Sequence, residues 1–356
     1  MSEQNNHRHL VFAIPGDLQT MSGGYGYDRR MIVELRVLGW VVEHLQLPGG
    51  FPAPTKAELE TTAARLAALH DGALVLIDGL AFGAMPQIAG AEAERLRLVA
   101  LVHHPLALET GIPPGVVKKL KESEIVALSA TRGIVVTSPA TARTLVADFG
   151  SAESRICIAI PGTEQSPPAQ GSSGDDLMIL SVGSLTTRKD HKTLVAALAH
   201  LADRPWQCRI VGSDTMDPAT AEALRRLIVD AGLAERVTLT GAIADVAAEY
   251  DRADIFALSS HYEGFGMAFA EAMVRGLPIV GCSGGAIPDL VDPRAGILVE
   301  PGDVPAFADA LARLMDDGVL RQNLANGSLA TGRRLPDWPK TAKTLSDFLE
   351  GFDERI

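Results

Sequence analysis

The chain has 356 residues, 47% of them hydrophobic and 21% charged, with a net charge of −12. That length exceeds one ordinary core and suits two domains, while the acidic balance argues against generic nucleic-acid binding, which needs a basic surface to displace counterions. No apolar run is long enough to span a bilayer, and the polar start, residues 1–9, lacks the apolar stretch of a secretion signal, so a cytoplasmic location is expected.

Short apolar runs rich in β-branched residues alternate with helical spacing along nearly the whole chain. A first series of strands is predicted at 10–14, 41–45, 73–77, 98–103, 134–137 and 156–160. A second follows at 178–183, 208–211, 237–240, 255–258, 278–281 and 297–299. Amphipathic helices are predicted at 28–38, 56–69, 192–201, 219–231, 306–315 and 340–351. Continuous apolar strands alternating with helices indicate parallel sheets covered on both faces, hence an α/β fold with two doubly wound domains. The Pro, Gly and Ser content of 166–176 marks an exposed linker between them.

Doubly wound sheets bind ligands at the carboxyl ends of their strands, so the residues that follow each strand are informative. After the first strand come Pro15-Gly16-Asp17 and then Ser22-Gly23-Gly24-Tyr25-Gly26. A dinucleotide fingerprint needs a third glycine here, and Tyr27-Asp28-Arg29 stands instead. That disfavours a nicotinamide-dependent oxidoreductase. Gly23 and Gly24 read as a flexible loop, either simply mobile or touching a phosphate or an acceptor. The fourth strand runs into Val102-His103-His104-Pro105. One of the two histidines would face the ligand edge, either satisfied in the core or bonded to a sugar hydroxyl. Neither has partners at metal-ligand spacing, and no metal site is expected. Val116-Val117-Lys118-Lys119-Leu120-Lys121 is either a solvated helix face or a surface for anionic lipid. Cys157, Cys208 and Cys282 lie far apart in apolar runs, as reduced core cysteines do.

In the second half, the first strand ends at Gly183-Ser184, followed by Arg188-Lys189-Asp190 at the mouth of a helix. Two adjacent cations there would neutralise a diphosphate, or else form a solvated charge pair. Gly212-Ser213-Asp214 and Gly284-Gly285 are further places of close backbone approach. Glu263-Gly264-Phe265-Gly266-Met267-Ala268-Phe269-Ala270-Glu271 places two carboxylates around a glycine turn that opens a helix. Unpaired amides at that helix start suit an anion, and the carboxylates would accept hydrogen bonds from a sugar and a ribose.

This constellation resembles the family 4 retaining glycosyltransferases, over almost the whole chain and most strongly from 178 to 310. The Glu-x7-Glu segment, Gly183 with Arg188-Lys189, Gly284-Gly285-Ala286-Ile287-Pro288-Asp289 and Pro301-Gly302-Asp303 carry the likeness. The resemblance implies the GT-B architecture, two Rossmann-like domains facing each other across a cleft. Residues 1–166 would form the acceptor-side domain, 167–176 a linker, and 177–337 the nucleotide-sugar domain. Residues 338–356 would form a helix packing back on the first domain. It further implies that Arg188 and Lys189 hold the donor diphosphate, with Gly183, Ser184 and Gly212 beside it. Glu271 would bind the ribose. Glu263 would contact the sugar and steady its positive charge, helped by backbone at Gly264, Phe265, Gly266 and Met267. His103 would reach the sugar from the opposite domain, with Gly23 and Gly24 near the phosphate or acceptor.

Ser184 departs from the arginine usual in that family, and Asp289 stands where glutamate is commoner. The expected reaction is metal-independent transfer from a nucleoside-diphosphate sugar to an acceptor hydroxyl, with retention and no cofactor. The acceptor would be a saccharide, a lipid-linked molecule or a small metabolite, and the site of action the cytoplasm, including the inner face of the membrane. A nucleotide-sugar epimerase or hydrolase would instead consume donor without acceptor, and a non-catalytic binder would hold it unchanged.

Overall fold

The computed structural model describes residues 8–352, so the polar start at 1–7 and the last four residues lie outside it. Twelve strands form two parallel sheets. The first sheet contains β1 (Arg8–Pro15), β2 (Trp40–Leu47), β3 (Leu74–Asp78), β4 (Arg97–Val102), β5 (Gly133–Val136) and β6 (Ile156–Ile158), in the order β2-β1-β3-β4-β5-β6. The second contains β7 (Leu177–Val182), β8 (Trp206–Val211), β9 (Val237–Gly241), β10 (Ile255–Leu258), β11 (Ile279–Cys282) and β12 (Gly296–Val299), in the order β12-β11-β10-β7-β8-β9. Burial explains the parallel arrangement. Phe12, Ala13, Ile14, Val75, Leu76, Ile77, Ile255, Phe256 and Ala257 are fully buried at consecutive positions, so both faces of each sheet are covered by helices.

The strand order reverses once in each sheet, between β1 and β3 in the first and between β7 and β10 in the second. Loops leaving the carboxyl ends of such a pair diverge to opposite faces, which opens a crevice where ligands bind. Both clusters described below sit at these two points.

The chain divides into two units, one ending at Gly162 and resumed at Trp338, the other running Thr163–Asp337. The helix Trp338–Glu350 therefore belongs to the first unit. Its Ala342, Leu345 and Leu349 are completely buried, Trp40 Nε1 donates to Ser346 Oγ at 2.9 Å, and Thr341 Oγ1 donates to the Ile160 carbonyl at 2.6 Å.

Two sequence expectations need correction and one is refined. The stretch 166–176 is largely exposed, as expected of a linker, yet it is anchored within the second unit. Ala169 N donates to the Arg275 carbonyl at 2.8 Å, and Gln170 N and Gly171 N donate to the Asp251 carbonyl at 2.9 and 3.0 Å. Those carbonyls lie at the C-terminal ends of two helices, where they lack intrahelical donors, so an irregular segment fixes itself there. Gly23 and Gly24 do not form a flexible loop but begin the helix Gly23–Val37, which starts five residues before the expected position 28. Cys157 is only partly buried, because β6 is an edge strand, whereas Cys208 and Cys282 are core residues. Among the described residues no helix is long and apolar enough to cross a membrane.

Candidate functional site

In the second unit, β7 ends and the chain turns through Gly183–Asp190 before the helix His191–Ala199. Gly183 and Gly212, at the ends of the paired strands β7 and β8, are in such close approach that a Cβ on Gly212 would overlap the Gly183 carbonyl. Glycine is therefore required at 212 by contact, not by backbone angle. Two residues that sequence patterns did not single out fix the turn from below. His191 Nε2 lies 3.0 Å from the Gly183 carbonyl and Nδ1 lies 3.3 Å from Ser181 Oγ. Burial pushes His191 down to about 4, against the opposing pull of the Gly183 hydrogen bond, so the ring is neutral and donates from Nε2.

Asp190 adopts the left-handed conformation, with φ 47°, which is uncommon outside glycine. The surroundings hold it there. Ser259 Oγ donates to its carbonyl at 2.6 Å, Thr193 Oγ1 donates to its carboxylate at 2.6 Å, and His261 Nε2 lies 3.3 Å from the same carboxylate. His261 N donates to the Arg188 carbonyl at 2.8 Å. The turn after β7 is thus bonded to the loop after β10, the two sides of the switch point.

That stitching brings three expected residues together. Lys189 Nζ donates to Glu263 Oε1 at 2.6 Å, and Arg188 Nη1 lies 3.6 Å from Glu263 Oε2 while donating to the Tyr262 carbonyl at 2.9 Å. Ser260 Oγ adds a 2.6 Å bond to Glu263 Oε1. Burial alone would raise the Glu263 carboxyl, but the Lys189 and Arg188 charges and the two hydrogen bonds overcome it and hold it below the usual glutamate range. The Glu263 main chain is fixed as well. Ala286 N donates to its carbonyl at 2.8 Å, and a Cβ on Gly285, whose φ is +62°, would overlap that carbonyl. Ser184 lies in the same turn, with Leu185 N donating to the Ser213 carbonyl at 2.8 Å.

Glu271 engages other partners. It lies in the second turn of the helix Met267–Val274, which Gly266 starts with φ +101°. Tyr250 Oη donates to Glu271 Oε2 at 2.9 Å, and Arg275 Nη1 donates to the Glu271 carbonyl at 3.2 Å. Burial raises the Glu271 carboxyl despite the opposing Tyr250 hydrogen bond and Arg275 charge. Phe265 is buried under the turn, between Gly264 and Gly266. Tyr250 is a further residue that sequence reasoning missed, since it lies 21 positions before its partner.

His103, Gly23 and Gly24 lie in the first unit. β4 stops at Val102, and the two histidines after it diverge: His104 Nε2 lies 3.3 Å from Glu109 Oε2, whereas His103 Nε2 lies 3.2 Å from Asp28 Oδ1 and 3.3 Å from Asp78 Oδ2. The expectation that neither histidine has partners at metal-ligand spacing is thus corrected for His103: its ring nitrogen and one oxygen each of Asp28 and Asp78 lie within 4.8 Å of one another. Its partners come from 75 positions away and from the end of β3. The start of the helix Gly23–Val37 lies beside the ring, where a Cβ on Gly24 would be 3.4 Å from it, in ordinary contact.

Comparison with known proteins follows the same lines. Residues 176–317 match the family described as "Glycosyl transferases group 1". D-inositol 3-phosphate glycosyltransferases of Xylanimonas cellulosilytica and Paenarthrobacter aurescens are each 30% identical, over 70% and 74% of this chain. The aligned region spans 66% and 70% of those relatives' own lengths. Sucrose-phosphate synthase from Thermosynechococcus elongatus superposes with a TM-score of 0.82 at 20% identity, over 97% of this chain and 99% of that one. Anabaena HepE, in a complex with UDP-glucose, gives 0.79 at 17% identity, over 97% and 100%. At these identities the structural likeness speaks for the fold.

Proposed function

Since this chain belongs to the group 1 glycosyl transferases and has their GT-B fold, we propose that it moves a sugar from a nucleoside-diphosphate sugar to an acceptor hydroxyl with retention at the anomeric carbon. The observation that carries this reading is the convergence of Arg188, Lys189 and Glu263 at the switch point of the second sheet. A departing nucleoside diphosphate develops negative charge there, and fixed cations stabilise it without reorganising. Lys189 and Arg188 are already desolvated and oriented by Glu263, so an entering diphosphate exchanges one anionic partner for another. These cations serve where other transferases use a divalent ion, and activity is expected to survive excess chelator.

Glu263 then lies beside the sugar, where a carboxylate held in its ionised form steadies an oxocarbenium-like transition state. Same-face attack, assisted by the leaving phosphate, accounts for retention with a single such carboxylate. Glu271, oriented by Tyr250, accepts from the ribose hydroxyls, and the backbone from Gly264 to Met267 lines the sugar with amides of a helix start. In the first unit His103 is a hydrogen-bond donor to a sugar hydroxyl, with Gly23 and Gly24 at the adjoining helix start. The acceptor is a saccharide, a lipid-linked molecule or a small metabolite, and the helix Pro114–Ser129, carrying Lys118, Lys119 and Lys121, is the surface for contact with anionic lipid in the lipid-linked case.

A thermal-shift panel of UDP, GDP, UDP-hexoses and GDP-mannose tests the donor, because a ligand that binds only the native state raises its melting temperature. One nucleotide class should shift the transition, and the corresponding sugar should be transferred with its anomeric configuration kept, as read by NMR of the product. A protein that responds to none, or yields an inverted linkage, contradicts the proposal. Donor consumption without acceptor would indicate an epimerase or hydrolase instead.

A further inference from the structure

At the switch point of the first sheet, three ionisable side chains meet from three separate elements. Asp28 comes from the second turn of the helix Gly23–Val37, Asp78 from the end of β3, and His103 from the residue after β4. Asp28 is completely buried and Asp78 is 5% exposed, whereas the His103 side chain keeps 21% of its surface open. We propose that Asp28 and Asp78 are positioning residues that clasp one ring nitrogen of His103 and fix the imidazole as a donor at the carboxyl edge of the first sheet. This rests on the reading of His103 as a contact to the substrate sugar.

The geometry supports the clasp in three ways. Both carboxylates approach the same nitrogen, Nε2, at 3.2 and 3.3 Å, so one N–H is shared between them and Nδ1 is left for other partners. The ring is also wedged, with Gly24 against one edge and Tyr27 meeting it edge-on at 5.3 Å, and Thr137 Oγ1 donates to the His103 carbonyl at 3.1 Å. Finally, two buried carboxylates this close cannot both remain ionised without a cation between them, and the imidazole occupies that place. Other charged or titratable groups acting on the cluster are Arg29, which pulls Asp28 down, Tyr25, which feels Asp78 and Asp28, and Tyr27, which packs on the ring and feels Asp28.

Charge follows from this arrangement. Burial alone would lower His103, but the charge and hydrogen bond of Asp28, then those of Asp78, push it up to about 10. Burial pushes Asp28 up to about 6, with the His103 charge opposing. The two carboxylates thus favour the doubly protonated ring, which leaves Nδ1 as a donor.

The test is a pH titration of the His103 ring nitrogens by NMR in the full ligand-free chain, in the native sequence and in Asp28→Asn and Asp78→Asn. The native ring should remain doubly protonated well above the ordinary histidine range, and each substitution should lower its midpoint by about one unit or more. A native midpoint near about 6.5, or an unchanged midpoint in both variants, overturns the clasp. So does uptake of zinc or manganese that displaces the ring proton. Should Asp28→Asn fail to fold, Asp78→Asn, nearer the surface, carries the comparison, with Asp78→Glu expected to restore the native titration.

A second arm reads transfer. In Asp78→Asn the fall of kcat with rising pH should move to lower pH in step with the ring, while the KM for acceptor changes less. A shifted ring with an unchanged rate profile would remove the link to the reaction. Absence of transfer by the native chain with every donor would instead strike the proposed function and leave the clasp standing.

Discussion

Lys189 and Glu263 hold opposite charges in a site where their side chains are only 14% and 8% exposed. Removing one partner of a buried pair strands the other charge, at a cost of about 3–5 kcal/mol, whereas removing both is far milder. Lys189→Ala should therefore destabilise the second unit strongly, and Lys189→Ala with Glu263→Gln should recover most of the loss in urea denaturation. Equal stability of the single and double variants would show that the pair is not coupled. The pH dependence has a definite sign. Glu263 is held below its unfolded value, so its contribution is complete above the ordinary glutamate range and is lost as pH falls through the depressed folded value. Glu263→Gln should flatten that acid limb of the stability curve. Tyr250→Phe tests Glu271 separately: it should weaken UDP or GDP binding by roughly tenfold, about one hydrogen bond to a charged group, and leave inorganic pyrophosphate unaffected in calorimetry. The sequence singled out Arg188, Lys189 and Glu263, which the structure brings together, and Glu271, which it places with Tyr250 and Arg275 instead. Ser181, His191, Ser259, Ser260 and Tyr250 were not singled out: Ser259 and Tyr250 act on partners 69 and 21 positions away, while Ser181, His191 and Ser260 act locally through a turn geometry that spacing does not reveal. The Lys189–Glu263 pair itself spans 74 positions.

Strands were the most readable elements. Each run of consecutive apolar, β-branched residues became a strand within a few positions of its expected bounds, most clearly the central strands, which are buried on both faces and leave no polar interruption. Helices were less readable. Gly318–Gly332 gave no strong apolar stripe in sequence, because glycine and small polar residues lie within it. Gly23 and Gly24 suggested a loop by their intrinsic freedom, yet both lie in the first turn of the helix Gly23–Val37, beside the His103 ring in the case of Gly24. The same lesson applies at 166–176, where composition signalled irregular backbone and said nothing of the helix-end carbonyls that bind it. Element packing also yields a prediction. Gly212→Ala places a methyl group where the Gly183 carbonyl lies, so β8 must shift away from the turn after β7. A loss of roughly 1–3 kcal/mol is expected, as for an overpacked core, together with weakened nucleotide binding. A stable variant that binds normally would show that this approach tolerates relaxation.

For the whole molecule, the chain crosses twice between its units, and the helix Trp338–Glu350 completes the first after the second has been built. It buries Ala342, Leu345 and Leu349, and Trp338 meets Tyr27 at 6.0 Å. Ending the chain before Trp338 should speed amide exchange across the first sheet and the helix Gly23–Val37, with the second sheet unchanged. Uniform exchange in both units would contradict that division. The central claim is that Arg188 and Lys189 form a metal-free grip on a diphosphate. Calorimetric titration of UDP and GDP with excess chelator, into the native chain and into Arg188→Ala/Lys189→Ala shown to be folded by circular dichroism, tests it most directly. The account predicts that one nucleotide binds the native chain without metal, and that the double variant loses about 10²-fold or more in affinity, as expected when two charge-assisted bonds disappear. Undiminished binding by the folded variant, or native binding only after a divalent ion is restored, would contradict it.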